Sequence, residues 1–245
     1  MAVTTGARPR REAARARSTL AILWGSTVGK KAAMAVSGLV MLGYLVLHMI
    51  GNLKIFFGAS ELNGYAAWLR TIGQPFLGHA WFLWIARVAL VAAVVVHGVA
   101  AYQLSRRDLA ARPTGYQHSG ARRTRARQSY ATRTMRWGGV ILALFIVWHI
   151  LDLTTLTVNP VADPGHPYQN IVGAFRTWYD GGIYCVAMLA LGLHVRHGFW
   201  SAAQTLGANS PGRDRALKLT ANLLALVLTA GFLSVPIAVM TGIVR

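Results

Sequence analysis

Residues 137–156, WGGVILALFIVWHILDLTTL, form twenty consecutive residues that carry a single charge, Asp152, and a single histidine, His149. In helical form such a run rises about 30 Å, the thickness of a bilayer's hydrocarbon core. Four further stretches of similar character lie at 32–55, 80–104, 182–204 and 219–244. Five apolar runs separated by polar connections predict an all-α fold, an integral membrane bundle of five transmembrane helices. In lipid the backbone must satisfy its own hydrogen bonds, which excludes open sheets and a water-soluble core of this composition. The chain divides into a basic arm, residues 1–25, and the membrane domain, residues 26–245.

The sequence is 54% hydrophobic yet carries a net charge of +18. That combination makes sense once the charges are placed. Seven Lys and Arg residues precede the first span, nine lie between spans two and three, and three precede span five, nineteen of the 25 in all. These connections alternate, so they share one side of the membrane. The positive-inside tendency assigns that side, and with it the N-terminus, to the cytoplasm. The opposite connections hold Lys54, Arg70, Arg176, Glu61, Asp163 and Asp180. The arginines flank spans rather than forming an aromatic-interleaved patch on a folded domain, so the expected partners are anionic membrane lipid and a docked protein, and no nucleic acid. The arm lacks a short apolar core followed by a small-residue cleavage site, which argues against a removable signal; it reads as a cytoplasmic tail ending in an interfacial turn at 22–24. The single cysteine, Cys185, excludes an intramolecular disulfide and reads as a small apolar filler.

His48, His97, His149 and His194 stand one apiece in the first four spans. An imidazole away from water is costly, so four of them call for shared partners, and haem iron ligated in pairs is the natural one. Orientation converts position into depth. His48 lies seventeen residues after Lys31, roughly 25 Å in, and His149 thirteen after Arg136, roughly 20 Å in. Spans two and four run the other way, and His97 falls nine residues before Arg106 while His194 lies in the second half of its span. The four sort into an outer pair, His48 with His149, and an inner pair, His97 with His194, predicting two stacked bis-histidine haems. The competing reading is that each histidine merely bonds a backbone carbonyl or a polar neighbour. His197, one turn beyond His194, competes as a ligand, a propionate partner or a quinone-pocket residue.

Glycines beside the histidines (Gly38, Gly43, Gly98, Gly138, Gly139, Gly192 and Gly198) admit close approach of backbone or porphyrin. Trp81, Trp84, Trp137, Trp148, Trp178 and Trp200 fit an interfacial belt, with Trp148 a candidate cofactor neighbour. Arg87 is placed level with the outer pair, either against a propionate or snorkelling, and Arg196 is a candidate for an inner propionate. Asp152 either serves quinone protonation or pairs with Arg87.

The arrangement resembles the single-chain, five-helix, dihaem cytochrome b subunit of succinate dehydrogenases and quinol:fumarate reductases. The matching segments are GYLVLHMIGN around His48, VVVHGVAAYQ around His97, FIVWHILDLT around His149 and LGLHVRHGFWSAAQTLG around His194. In the last of these, His194 followed by Gly198, Trp200 and a Gly207 turn is the most specific, and the first histidine is the ligand in such relatives. The long arginine-rich arm and the extended 106–136 loop depart from the pattern and alter the expected docking surface.

The resemblance implies a multi-pass subunit of a bacterial plasma membrane, carrying two haem b groups and binding menaquinone. A flavoprotein with FAD and an iron–sulfur subunit, both separate chains, would oxidise succinate and deliver electrons to this anchor in respiratory complex II. It implies electron transfer from the cytoplasmic to the outer face, with about 2.3 kcal/mol per charge per 100 mV of membrane potential entering the energetics. The direction of the reaction and the oligomeric state stay open. Two alternatives remain: a cytochrome b anchor of a formate dehydrogenase or hydrogenase, and a haem-free transporter whose histidines relay protons.

Overall fold

The computed structural model describes residues 19–111 and 122–245, with the side chains of residues 122–133 outside that description. Residues 1–18 and 112–121, including many of the arginines that set the predicted orientation, lie outside it as well. Among the described residues every regular element is helical: α1 (Thr19–Gly25), α2 (Thr27–Asn52), a 3-10 turn (Leu53–Phe57), α3 (Ala59–Leu69), α4 (Trp81–Ala110), α5 (Arg122–Leu153), α6 (Pro167–Arg176), α7 (Trp178–Thr205) and α8 (Asp214–Met240). Five segments are long and apolar enough to cross a bilayer: Thr27–Phe57, Trp81–Ala110, Thr134–Leu153, Trp178–Thr205 and Asp214–Met240. The protein is therefore a multi-pass helical membrane protein.

The helices begin and end where local chemistry directs. Ser26 caps α2 by accepting a hydrogen bond from the Gly29 amide at 2.8 Å. Pro167 opens α6, where a missing amide hydrogen costs nothing. Gly207, at φ +77°, ends α7. The Gly207 amide donates to the Gln204 carbonyl and the Ala208 amide to the Ala203 carbonyl, the paired closure that favours glycine. The spans differ from the sequence expectation at their ends. The first begins five residues earlier, at Thr27, because a serine cap outweighs the polarity of Lys30 and Lys31; the third stops at Leu153 rather than 156, where the backbone turns into the loop that carries Asn159. The fourth starts at Trp178 and the fifth at Asp214, each earlier than hydropathy predicts, because the exposed ends of membrane helices tolerate polar residues. The fifth also ends at Met240 instead of 244.

The bundle is organised on α2 and α7. Helix α7 packs against α8, α5 and α2, while α2 packs against α4 and, less extensively, α8. The α7–α8 seam is close because Gly192 leaves room for Thr229 and the Ala225 carbonyl, and Gly181 leaves room for Met240. Replacing Gly192 with leucine should overpack this seam and cost about 1–3 kcal/mol, read as a lower thermal-denaturation midpoint of the detergent-purified protein than for an exposed Leu193→Ala control. Helix α4 is held mainly through α2, with Arg107 donating to the Gly25 carbonyl of α1 at 3.0 Å and Asp108 pairing with Arg136 of α5 at 2.7 Å.

Two apolar clusters make the core. One is midway along the bundle, with Met49, Met188, Leu191, Leu228 and Phe232. The other closes the end away from α1, where the short helices α3 and α6 bury Leu62, Ile171, Val172 and Phe175 against Val235 and Val239 of α8. Asn63 fastens these two caps, donating to the Gln169 side chain at 3.1 Å and accepting from the Tyr168 amide at 3.0 Å. Facing outward is an apolar belt, including Val88, Val91 and Val95 of α4 and Leu144 and Val147 of α5, all more than half exposed. Trp81, Trp84 and Trp178 are exposed near helix ends, and Trp137 is exposed near the start of the Thr134–Leu153 span, as an interfacial belt requires. Trp200 belongs elsewhere: its indole donates to Asp214 at 3.1 Å beneath the Lys218 ammonium, tying α7 to α8.

Candidate functional site

The four span histidines meet in two pairs. His48 of α2 and His149 of α5 have ring centroids 5.8 Å apart, and His97 of α4 and His194 of α7 have centroids 6.1 Å apart. Each pair joins helices whose backbones do not pack closely on one another, so the rings reach across the middle of the bundle. The pairs occupy different levels. The His97 Nδ1 is 2.9 Å from the Met34 carbonyl and its ring lies beside Gly38, whereas His48 stands ten residues farther along the same helix. On α5, Gly139 faces His194 and His149 again follows ten residues later. Ten residues of helix rise about 15 Å.

Hydrogen bonds fix which ring nitrogen is free. A carbonyl only accepts, so His97 donates through Nδ1 to Met34 and its Nε2 carries the lone pair. His149 is set by a longer chain. The Tyr184 hydroxyl donates to Asp152 Oδ2 at 2.8 Å, which commits its one hydrogen. The 3.2 Å contact between His149 Nδ1 and that hydroxyl therefore has the imidazole as donor, and again Nε2 is left as the available base. Around His48 the partner is Tyr44, with Nδ1 3.4 Å from its hydroxyl and the rings stacked at 5.2 Å. His194 differs from the others: its Nδ1 is buried with no protein partner.

These residues fit an axially ligated flat group. Two imidazoles on opposite sides of one metal, at His–metal bonds of about 2.0–2.1 Å, have centroids roughly 6 Å apart once the ring radius is added. The paired separations match that spacing, the side chain of a larger residue at Gly38 would press on His97, and the His194 Nδ1 is an orphaned buried polar atom. Among the described residues no three His, Cys, Asp or Glu side chains converge on a bare metal-ion site. A macrocycle that supplies its own equatorial nitrogens needs only two axial ligands.

The other sequence-selected residues fall in varied places. Asp152 is fully buried and also accepts from Asn159 Nδ2 at 2.9 Å through Oδ1. It does not pair with Arg87, whose exposed guanidinium stacks 4.9 Å over the Trp84 ring instead, within electrostatic reach of the Tyr44 hydroxyl. The reason is placement: Asp152 faces Tyr184 of α7 and Asn159 of the loop that leads into α6. Arg196 donates from Nε to Asn222 of α8 at 2.7 Å and is exposed, away from the His97–His194 pair. Trp148 makes no ring contact with His48 or His149; it lines an apolar groove between α5 and α7 with Phe145, Trp178 and Ile183, its indole nitrogen buried without a partner. His197 is half-buried one turn beyond His194.

Sequence reasoning missed Tyr184, Tyr44 and Asn159. The available signal for Tyr184 was its position ten residues before His194 on a span running opposite to that of His149, which puts a polar aromatic at the depth of His149.

Helices, membrane-spanning length and paired histidines define a class, a multi-pass membrane protein with two cofactor-sized imidazole clamps. Comparison with protein-family models, curated proteins and solved structures finds no match to this chain.

Proposed function

We propose that this chain is the membrane-anchor cytochrome b subunit of a succinate:menaquinone oxidoreductase in a bacterial plasma membrane, with its N-terminus in the cytoplasm. The observation that carries this reading is the pair of imidazole clamps, 5.8 and 6.1 Å across, at two depths of one five-span bundle. His48 with His149 and His97 with His194 would each hold one haem b. Bound there, the two haems supply one-electron transfer across the bilayer between an iron–sulfur partner and quinone. The chain's own contribution is to fix the imidazoles, exclude water and set the polarity around them. The helices α2 and α5 do this with a glycine at one level and a histidine at the other, and α7 adds Tyr184 at the level of His149. Succinate oxidation would belong to a flavoprotein subunit carrying FAD, as the resemblance implies.

The haem-free alternative has one observation in its favour, since the buried series His149, Tyr184, Asp152 is a plausible track for protons. An absorption spectrum of the purified full chain separates the readings. Two low-spin b-type haems per chain are expected, with flavoprotein and iron–sulfur subunits co-purifying from the native membrane. A colourless chain supports the transporter instead, and co-purification with a formate dehydrogenase or hydrogenase moves it to that class of anchor.

A further inference from the structure

The four imidazoles differ in what stands behind them. His97 has a neutral carbonyl, Met34, and His194 Nδ1 has no protein partner. His48 has the partly exposed Tyr44 hydroxyl at the long distance of 3.4 Å. His149 alone among them is linked to a charged side-chain type: its Nδ1 meets the Tyr184 hydroxyl at 3.2 Å, and that hydroxyl donates to Asp152 at 2.8 Å.

This series is built, with each member held from several sides. Asp152 is 0% exposed and each of its oxygens accepts one hydrogen bond, from Tyr184 and from Asn159. Two donors and no acceptor around the carboxyl are the pattern of a carboxylate. Asn159 is pinned in turn, accepting from the Val161 and Ala162 amides and donating also to the Asn170 carbonyl at 3.2 Å. Asn170 locks the same loop through the Asp163 backbone. Tyr184 is packed edge-on against Phe145 and Phe175, so its hydroxyl has little room to turn elsewhere. Such an investment of buried polar groups in a membrane bundle needs every partner in place to be tolerable.

Resting on the functional reading above, we propose that Asp152 and Tyr184 are positioning residues for His149, and that their hydrogen-bonded series sets the reduction potential of the outer haem separately from that of the inner one. An anionic acceptor at the far end polarises the tyrosine hydroxyl, which draws on the Nδ1 hydrogen and makes the opposite nitrogen a stronger electron donor. A stronger axial donor stabilises ferric over ferrous iron and lowers the potential. Among the described residues no comparable series reaches His97 or His194, so the effect belongs to one level. The role differs from proton delivery to quinone, because it requires Asp152 to act through the ligand.

The test is a spectroelectrochemical redox titration of the haem-loaded protein, purified with its accompanying subunits, for wild type, Asp152→Asn, Tyr184→Phe and the double variant. Asp152→Asn keeps the volume and removes the charge. It should raise one of the two midpoints, by about a tenfold change in that haem's equilibrium constant or ~59 mV for a one-electron couple, with the other unmoved. Tyr184→Phe should shift the same haem in the same direction and alter its low-spin ferric electron-paramagnetic-resonance signal. In the Tyr184→Phe background, Asp152→Asn should add nothing, because the path through the hydroxyl is already cut. Unchanged midpoints, equal shifts of both haems, or a full Asp152→Asn shift that persists without the hydroxyl would each overturn the proposal. If Asp152→Asn fails to assemble, Tyr184→Phe decides alone, since it leaves the Asp152 to Asn159 bond intact. A wild-type chain without haem would instead bring down the functional reading.

Discussion

On the proposed dihaem reading, alanine at His149 should leave the purified protein with one haem in place of two, and alanine at His48 should leave it with the same one. The argument is geometric. The two rings face each other at 5.8 Å, too close for each to serve a different macrocycle, so losing either opens the same clamp. Alanine at His97 or His194 should remove the other haem by the same reasoning, at 6.1 Å. Four single variants are therefore expected to give two residual spectra, one shared by His48→Ala and His149→Ala and another shared by His97→Ala and His194→Ala. Haem-to-protein stoichiometry from a pyridine haemochrome assay, together with the reduced-minus-oxidised spectrum, checks this. Four different residual spectra, or retention of both haems in any one variant, would refute the pairing. His197→Ala serves as the comparison: it should keep both haems, because a half-buried ring one turn farther along α7 is not needed for either clamp.

A second large effect is expected where the sequence has no side chain at all. A Cβ at Gly38 would lie 3.3 Å from His97 Cε1 and 3.4 Å from its Nδ1. The ring has little freedom to retreat, because its Nδ1 is bonded to the Met34 carbonyl one turn back on α2, and breaking that bond inside the bundle costs on the order of 1 kcal/mol. Alanine at 38 asks for a shift of a few tenths of an ångström and should be tolerated with weakened haem retention. Leucine places three more carbons against the ring and should abolish the haem proposed between His97 and His194 while sparing the one proposed at His48, which stands ten residues away on this helix. Val40→Leu, on an exposed part of the same helix, should behave as wild type. Haem stoichiometry and thermal stability measured together separate the two causes of failure. Loss of one haem with a near-normal denaturation midpoint is the expected result, whereas two intact haems in Gly38→Leu would refute the close approach.

Much of this molecule could be read along one dimension. Span number followed from apolar run length, because bilayer thickness fixes how many helical residues must be apolar, and the five runs reappear as α2, α4, α5, α7 and α8 with shifted ends. Depth followed from helical rise, which is why the chain alone groups His48 with His149 and His97 with His194. The ends were less legible. Hydropathy is blind to a cap such as Ser26 and to polar first turns such as Asp180 or Asp214, which extend helices past their apolar part.

What hydropathy and rise cannot supply is rotation about each helix axis and the lateral order of helices. Both depend on how side chains of distant segments fit together. That is why Arg87 and Asp152, at similar depth, were candidates for a pair, while packing turns one toward Trp84 and the other toward Tyr184. Arg196 is likewise drawn to Asn222 by the α7–α8 seam. The sequence by itself determined a five-span helical membrane protein with four imidazoles at two levels, because the bilayer imposes length and depth on any chain that crosses it. Only the tertiary structure decided that those imidazoles face one another in twos, and that a buried tyrosine and aspartate stand behind one of them, because azimuth is set by close packing between segments far apart in the chain.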